Sequence, residues 1–272
     1  YLPTMNRSEI FLVMVSGMGT IAGSVMGTYI GMLGGTDPAA KVLFATHLLS
    51  ASVMAVPGSI VLAKMLCPQT EEATDHVAIS GKEKENSNIL DAISSGTVTG
   101  VKLMTNIAAM LLVFISLVAL ANYITEGVIG RYTGLNDWIV KITDGKAQGL
   151  TFQFILGVIT SPFMWLIGVP SQDIMLVGSL LGQKTILNEF VAYFQLQQWK
   201  DAGLFMYEKS ILMSTYILCG FANISSIGIL LGGLGVLAPE KRGLISRIGV
   251  PAMIGGALVS VLSATIIGMI LG

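Results

Sequence analysis

Long apolar stretches separated by short charged segments dominate this chain. Residues 10–36, 42–66, 103–125 and 248–271 are each apolar over the roughly 20 residues that a helix needs to cross a hydrocarbon core of about 30 Å. The segment 68–87 between two of them is polar and suits an aqueous loop. Because backbone polar groups in lipid must be satisfied within the protein, this pattern predicts an all-α polytopic membrane protein.

The stretch 210–235 is uncharged and long enough to span a membrane, but its middle is polar. Small and polar residues crowd there into about three helical turns: Gly220, Asn223, Ser225, Ser226 and Gly228. Amide and hydroxyl groups in lipid need a partner helix or a bound solute. We therefore predict that the helix breaks here and presents polar groups to a solute in mid-membrane.

A second unusual stretch, 173–198, carries charges within an apolar sequence. Asp173, Lys184 and Glu189 divide it into apolar pieces of about ten residues, which are too short to span. This predicts a re-entrant hairpin whose tip lies at membrane depth. Intramembrane acids usually mark a substrate, ion or proton site, so Glu189 is a candidate site residue; the alternative is an interfacial ion pair with Lys184.

The predicted segments organise the chain into six parts. Residues 1–66 hold a broken helix and a second span, and residues 201–272 hold another broken helix and the last span. The four parts between them are a loop with an interfacial helix (67–102), a scaffold span (103–125), an interfacial segment (126–170) and the re-entrant hairpin (171–200).

A faint internal repeat links the two predicted broken helices. SGMGTIAGSVMG, from Ser16, resembles LCGFANISSIGI when Gly17 is aligned with Gly220, which places Thr20 on Asn223. The two copies are expected to cross the membrane in opposite directions, as in the inverted-repeat transporters with discontinuous helices. Two glycine-rich helices can also resemble each other by chance.

The composition excludes several other classes of protein. Of 272 residues, 53% are hydrophobic and 11% charged, whereas a soluble domain carries about 25% charged residues. The formal net charge of −1 gives no indication of a nucleic-acid partner. The sequence has no Walker lysine loop, GxSxG motif or metal-ligand cluster, so it predicts neither an enzyme nor a bound cofactor.

The uncharged polar residues indicate the kind of solute. Asn223, Ser225 and Ser226 offer donors and acceptors that suit a neutral polyhydroxylated or heterocyclic solute; the alternative is hydrogen bonding between helices. His47 is a lone imidazole that suits packing or hydrogen bonding better than a proton relay. Aromatic residues near these positions could stack on a ring or simply pack: Phe190, Tyr193 and Phe221.

Three blocks of sequence resemble one family. FATHLLSASVMAVPGSIVLAKML (44–66), VGSLLGQKTILNEFVAY (177–193) and ILCGFANISSIGILLGGLG (217–235) are similar to the concentrative nucleoside transporters in their bacterial form. The resemblance implies a multi-pass protein of the bacterial inner membrane that imports nucleosides by symport, with sodium or protons as the coupling ion. It also implies a homotrimer that works by an elevator-like movement through the lipid bilayer.

The resemblance implies roles for residues of the hairpin and the second broken helix. Glu189 matches the hairpin glutamate that bonds the ribose in this family. Asn223 and Ser226 of FANISS match further ribose-side positions, and Phe221 precedes them in the same motif.

The resemblance also implies a cation site in the first broken helix. Residues 17–25 match the family's broken fourth helix, so Thr20 and Ile21 occupy sodium-binding positions and Val25 faces the base. Many bacterial members have serine where this chain has Thr20. The family's first hairpin, with a GQTE motif, is expected just upstream of Tyr1, so we expect the chain to be part of a longer protein.

The sequence therefore predicts secondary active transport in which sodium near Thr20 completes a nucleoside pocket. A passive channel or facilitator for small polar solutes is the alternative, and it would still equilibrate solute after the cation gradients collapse. An intramembrane enzyme or a regulatory subunit is a further rival, although no nucleophile–base pair lies on the spans.

Overall fold

The computed structural model describes residues 2–71, 88–143, 145 and 147–272, and these residues form helices and no strand. The predicted all-α class is therefore confirmed. The chain divides into two compact units, one made of Tyr1–Thr74 with Gln153–Gly272 and the other of Asp75–Phe152. Most of the predicted loop 68–87 falls outside the described residues.

The helices follow one another in this order: α1 Arg7–Gly19, α2 Gly23–Gly34, α3 Pro38–Leu66, α4 Ile89–Asn122, α5 Arg131–Thr133, α6 Leu135–Ile142, α7 Phe152–Leu166, α8 Ile174–Ile186, α9 Glu189–Asp201, α10 Glu208–Leu218, α11 Ile224–Leu237 and α12 Arg242–Ile270. A π-helical stretch, Tyr123–Gly130, joins α4 to α5. Among the described residues, three helical stretches are long and apolar enough to cross a membrane: Arg7–Gly34, Pro38–Leu66 and Pro239–Ile270.

Two helical segments are interrupted in the first unit. α1 stops at Gly19 and α2 resumes at Gly23, because Thr20 takes an extended conformation (φ −109°, ψ 163°) that ends the helix. α10 stops at Leu218 and α11 resumes at Ile224. Both interruptions leave backbone groups outside the helical hydrogen-bond ladder.

The second interruption covers residues 219–223 and is shorter than the sequence predicts. Ser225, Ser226 and Gly228 belong to α11, since the Asn223 side chain caps this helix: its Oδ1 accepts from the backbone N–H of Ser226 at 2.9 Å. Gly220 lies within the interruption, where its φ is 150°. Residues other than glycine rarely adopt this backbone conformation.

α8 and α9 form a pair of helices with a very short connection. Each has 13 residues and is therefore about 20 Å long, less than the thickness of a hydrocarbon core. Leu187 and Asn188 join them, and the Asn188 side chain caps α9 by accepting from the Val191 N–H at 2.9 Å. These lengths suit the predicted re-entrant hairpin, whose depth in the membrane stays a prediction.

α12 is the packing centre of the first unit and contacts α1, α3, α10 and α11. Glycine makes its approach to α1 possible. A Cβ added at Gly255 would lie 2.8 Å from Cγ2 of Val15, and one added at Gly256 would lie 2.7 Å from Cβ of Met18. Close backbone packing of this kind is typical of membrane helices, where small residues line the interface.

The second unit differs from the sequence prediction at α4. This is one continuous helix of 34 residues, so the predicted boundary between an interfacial helix ending at 102 and a span over 103–125 does not occur. Gly96 and Gly100 lie inside the helix; each costs about 1 kcal/mol relative to alanine, which is too little to end it. Asn88 caps its start by accepting from the Asp91 N–H at 2.9 Å.

Candidate substrate and cation site

A buried carboxylate and a buried amide form the centre of the candidate site. Glu189 opens α9 and is 7% exposed, and Asn223 immediately precedes α11 and is fully buried. The Asn223 amide Nδ2 donates to Oε2 of Glu189 at 3.0 Å. Lys184, the alternative partner of Glu189, directs its ammonium to the carbonyl of Ile217 instead. The hairpin acid is thus held against the second broken helix.

The oxygen of the same amide organises the start of α11. Asn223 Oδ1 accepts from the hydroxyl of Ser225 at 2.6 Å and lies 2.9 Å from the hydroxyl of Ser226. The Ser226 hydroxyl also contacts the backbone carbonyl of Phe221. This network presents a carboxylate acceptor beside amide and hydroxyl donors, a combination that hydrogen-bonds neutral hydroxyl groups well.

The first interruption contributes backbone and hydroxyl oxygens. Thr20 is half-buried, and its hydroxyl donates to the carbonyl of Ser16 at 3.0 Å, which leaves its lone pairs as acceptors. Ile21 and Val25 are half-buried and pack against a core cluster that includes Tyr193 and Cys219. Hydroxyl and carbonyl oxygens are the ligands that hard cations such as sodium prefer.

The two interruptions approach each other at Gly220. A Cβ added there would lie 3.0 Å from the carbonyl oxygen of Gly19 and 3.2 Å from that of Met18, the last residues of α1. It would also lie 2.6 Å from the Ser260 hydroxyl of α12. The structure therefore brings the broken end of α1 and the broken end of α10 to the same place.

Tyr29, which is not among the residues that the sequence singled out, lies beside the candidate site. It is fully buried, its ring stacks on Tyr193 with centroids 4.0 Å apart, and Phe190 lies beside it at 6.3 Å. Its hydroxyl interacts with the Glu189 carboxylate, but within the described part of the chain it forms no hydrogen bond of normal geometry. The sequence spacing could have pointed to Tyr29, because it follows Val25 by four residues and therefore shares the same face of the helix.

Tyr193 and His47 have structural partners. The Tyr193 hydroxyl donates to the carbonyl of Thr215 at 2.8 Å, and Phe221 is half-buried within the second interruption. His47 Nδ1 lies 3.2 Å from the hydroxyl of Tyr216, with the two rings edge to face. This contact is the hydrogen-bonded arrangement that the sequence favoured for His47.

Comparison with known proteins identifies the family. The sequence profile of the "Na+ dependent nucleoside transporter C-terminus" family matches residues 47–268, which include Glu189, Asn223 and Ser226. The chain belongs to this nucleoside transporter family. Membership confirms the resemblance seen in the sequence and makes the chain a multi-pass membrane protein of a transporter family rather than of an enzyme family.

Individual relatives align over essentially the whole chain. An uncharacterized transporter of Haemophilus influenzae is 39% identical over 275 residues, covering 100% of this chain and 61% of that protein. Sodium/nucleoside cotransporter 1 of Rattus norvegicus is 38% identical over 284 residues, covering 99% of this chain and 40% of that protein. These alignments include the first interruption, which precedes the family profile.

A solved nucleoside transporter structure has the same fold. CNTnw in an inward-facing substrate-bound state superposes with a TM-score of 0.80 at 34% identity. The superposition covers 100% of this chain and 59% of CNTnw. The chain thus spans about three-fifths of the length of CNTnw and of the Haemophilus influenzae relative.

Proposed function

We propose that the full-length gene product carrying this chain imports nucleosides across the bacterial inner membrane by secondary active transport. The observation that carries the proposal is the 3.0 Å bond between the buried Asn223 amide and the buried Glu189 carboxylate. A neutral sugar can replace this bond with its own hydroxyl groups, which donate to the acid and accept from the amide.

Within this proposal, the polar residues of the hairpin and of α11 bind the ribose. Glu189 accepts from sugar hydroxyls, while Asn223 and Ser226 donate to them. Val25 and Phe221 contact the base, which suits their half-buried apolar side chains. The rat relative named as a sodium/nucleoside cotransporter supports this substrate class.

We propose sodium as the coupling ion, bound at the end of α1 by Thr20 and Ile21, with protons as the alternative ion. The backbone carbonyl groups at the end of α1 and the Thr20 hydroxyl provide oxygen ligands. Sodium there stabilises the same conformation of the interruption that completes the nucleoside pocket. Each ligand then raises the affinity for the other, which is the thermodynamic basis of coupling.

The proposal includes an elevator-type movement in a homotrimer. The hairpin and the two broken helices move together with bound nucleoside and sodium, while α4, which contains most of the predicted scaffold span, stays in place. The short α8 and α9 helices suit a hairpin that enters and leaves the same side of the bilayer.

Uptake of labelled uridine and adenosine into proteoliposomes tests the proposal. The full-length gene product is reconstituted, and uptake is measured with an inward sodium gradient, with an inward proton gradient and with no gradient. Accumulation above the external concentration only with a gradient supports symport. Equilibration at the same rate without any gradient would instead establish the passive facilitator.

A further inference from the structure

Lys184 is a fully buried cation whose location needs a physical explanation. It lies in α8, and its ammonium donates to the carbonyl oxygen of Ile217 at 2.8 Å and to the hydroxyl oxygen of Ser260 at 3.0 Å. These acceptors belong to α10 and α12, so one side chain links three helices. A buried ammonium is costly unless its surroundings carry compensating negative charge.

The Glu189 carboxylate acts on Lys184 electrostatically, and the broken end of α10 supplies further negative charge at the atoms that Lys184 contacts. The last turn of a helix has carbonyl groups without helical partners and carries a partial negative charge. α10 ends inside the unit at Leu218 and has no basic residue in its own last turn. Lys184 reaches the Ile217 carbonyl, and Ser260 donates to the Cys219 carbonyl at 2.9 Å. Together they neutralise this helix end.

The end of α1 lies at the same place but has no such counter-charge. Its last carbonyl, at Gly19, lies close to Gly220. Gly220 also lies close to the Ser260 hydroxyl, which accepts a hydrogen bond from the Lys184 ammonium. Two helix ends of like partial charge therefore meet around one hydroxyl group. α1 has no basic residue in its last turn, and no hydrogen bond among the described residues brings a lysine or arginine to its terminal carbonyl groups.

We propose that the Lys184 ammonium neutralises the broken end of α10 permanently, as part of the protein. The end of α1 then remains the place where a dissociable cation, such as sodium, is needed. Assigning that dissociable cation to transport coupling rests on the proposed function, whereas the role of Lys184 does not. Lys184 is a positioning residue: it fixes Ile217 directly and Cys219 through Ser260. By holding this interruption, it keeps Asn223 in place against Glu189.

The test removes the charge while retaining a hydrogen-bond donor. Lys184→Gln and Lys184→Arg are made in the full-length gene product, and thermal unfolding is measured without nucleoside while sodium replaces choline at constant ionic strength. The slope of stability against the logarithm of sodium concentration counts the sodium ions that the folded protein binds. Lys184→Arg should keep the wild-type slope, and Lys184→Gln should gain about one ion, because sodium takes the place of the missing charge.

An unchanged slope for Lys184→Gln, with an equal loss of stability at every sodium concentration, overturns the proposal. If Lys184→Gln does not fold in choline, recovery in sodium supports the proposal and failure at all sodium concentrations overturns it. Lys184→Met, which has neither charge nor donor, should show the same gain in slope. Nucleoside uptake by the wild type reports separately on the proposed function, because the difference in slope between variants is measured without nucleoside.

Discussion

The side-chain amide of Asn223 lies 3.0 Å from the carboxylate of Glu189 and joins two helices across 34 positions of sequence. Both residues stand at helix starts, Glu189 at the first position of α9 and Asn223 at the cap of α11. Helix N-termini carry partial positive charge, which stabilises the acid at the start of α9. A displacement of either helix therefore changes the surroundings of the same carboxylate.

Glu189→Gln in the full-length gene product should lower nucleoside uptake by about 10-fold to 150-fold, because a hydrogen bond to a charged group contributes roughly 1.5–3 kcal/mol. Glutamine has the same size and can still accept from Asn223, so the protein should stay folded. Initial rates of labelled uridine uptake, with thermal unfolding alongside, measure both effects.

Glu208→Gln is the matched control for this change, since Glu208 is an exposed glutamate in the first turn of α10. It should leave uptake unchanged. Uptake by Glu189→Gln at the wild-type rate would remove Glu189 from the site.

Asn223→Ser and Asn223→Ala should separate the capping role of Asn223 from its amide. Serine preserves the acceptor at the start of α11, whereas alanine loses it at a cost of about 1 kcal/mol. Both variants lose the amide nitrogen that donates to Glu189. We expect both to be strongly impaired in uptake, with the serine variant melting at the higher temperature. Equal melting temperatures would contradict the capping role.

Gly220→Ala should destabilise the protein. The backbone conformation at φ 150° costs a side-chain-bearing residue about 1–3 kcal/mol, and the new Cβ would lie 2.6 Å from the Ser260 hydroxyl. Gly228→Ala is the control, because Gly228 lies in α11 with open space around it and should gain up to about 1 kcal/mol. Thermal unfolding of the two variants should shift in opposite directions; a neutral Gly220→Ala would argue against the close approach of the two interruptions.

Thr20→Val should raise the sodium concentration for half-maximal uptake about tenfold, the equivalent of ~1.4 kcal/mol, by removing one oxygen ligand. Thr20→Ser should stay close to the wild type. Thr46→Val provides a control, since the Thr46 hydroxyl makes the same kind of bond to a helix carbonyl at an exposed position. A sodium dependence unaffected by Thr20→Val would place the cation elsewhere.

Much of the fold was predictable from local patterns. Apolar length predicted the stretches that the structure shows as Arg7–Gly34, Pro38–Leu66 and Pro239–Ile270, and the small and polar residues around Gly220 predicted an interrupted helix. The predicted limits of that interruption were wrong, because a helix cap sets where α11 begins. The Asn223 side chain accepts from the Ser226 N–H, which has no partner within the helix, and Ser225 and Ser226 therefore belong to α11. Hydropathy also suggested two elements where α4 is a single helix, since a change from polar to apolar composition does not end a helix.

The partners of the site residues could not be predicted from spacing. Glu189 and Lys184 are five positions apart and of opposite charge, so an ion pair was a reasonable alternative. In the structure each side chain instead bonds to residues distant in sequence. Glu189 accepts from Asn223, and Lys184 donates to Ile217 and Ser260. Such long-range pairing depends on how α8, α10 and α12 pack, which one sequence does not specify.

The most direct test of the central claim is competition for labelled-uridine uptake in sodium between unlabelled uridine and 2′,3′-dideoxyuridine, which lacks the 2′ and 3′ hydroxyl groups of the sugar. If Glu189 and Asn223 bind the sugar, uridine should compete and the dideoxy compound should compete at least about tenfold less well, the loss expected when buried polar groups are left unpaired. Equal competition by the two compounds would contradict the account.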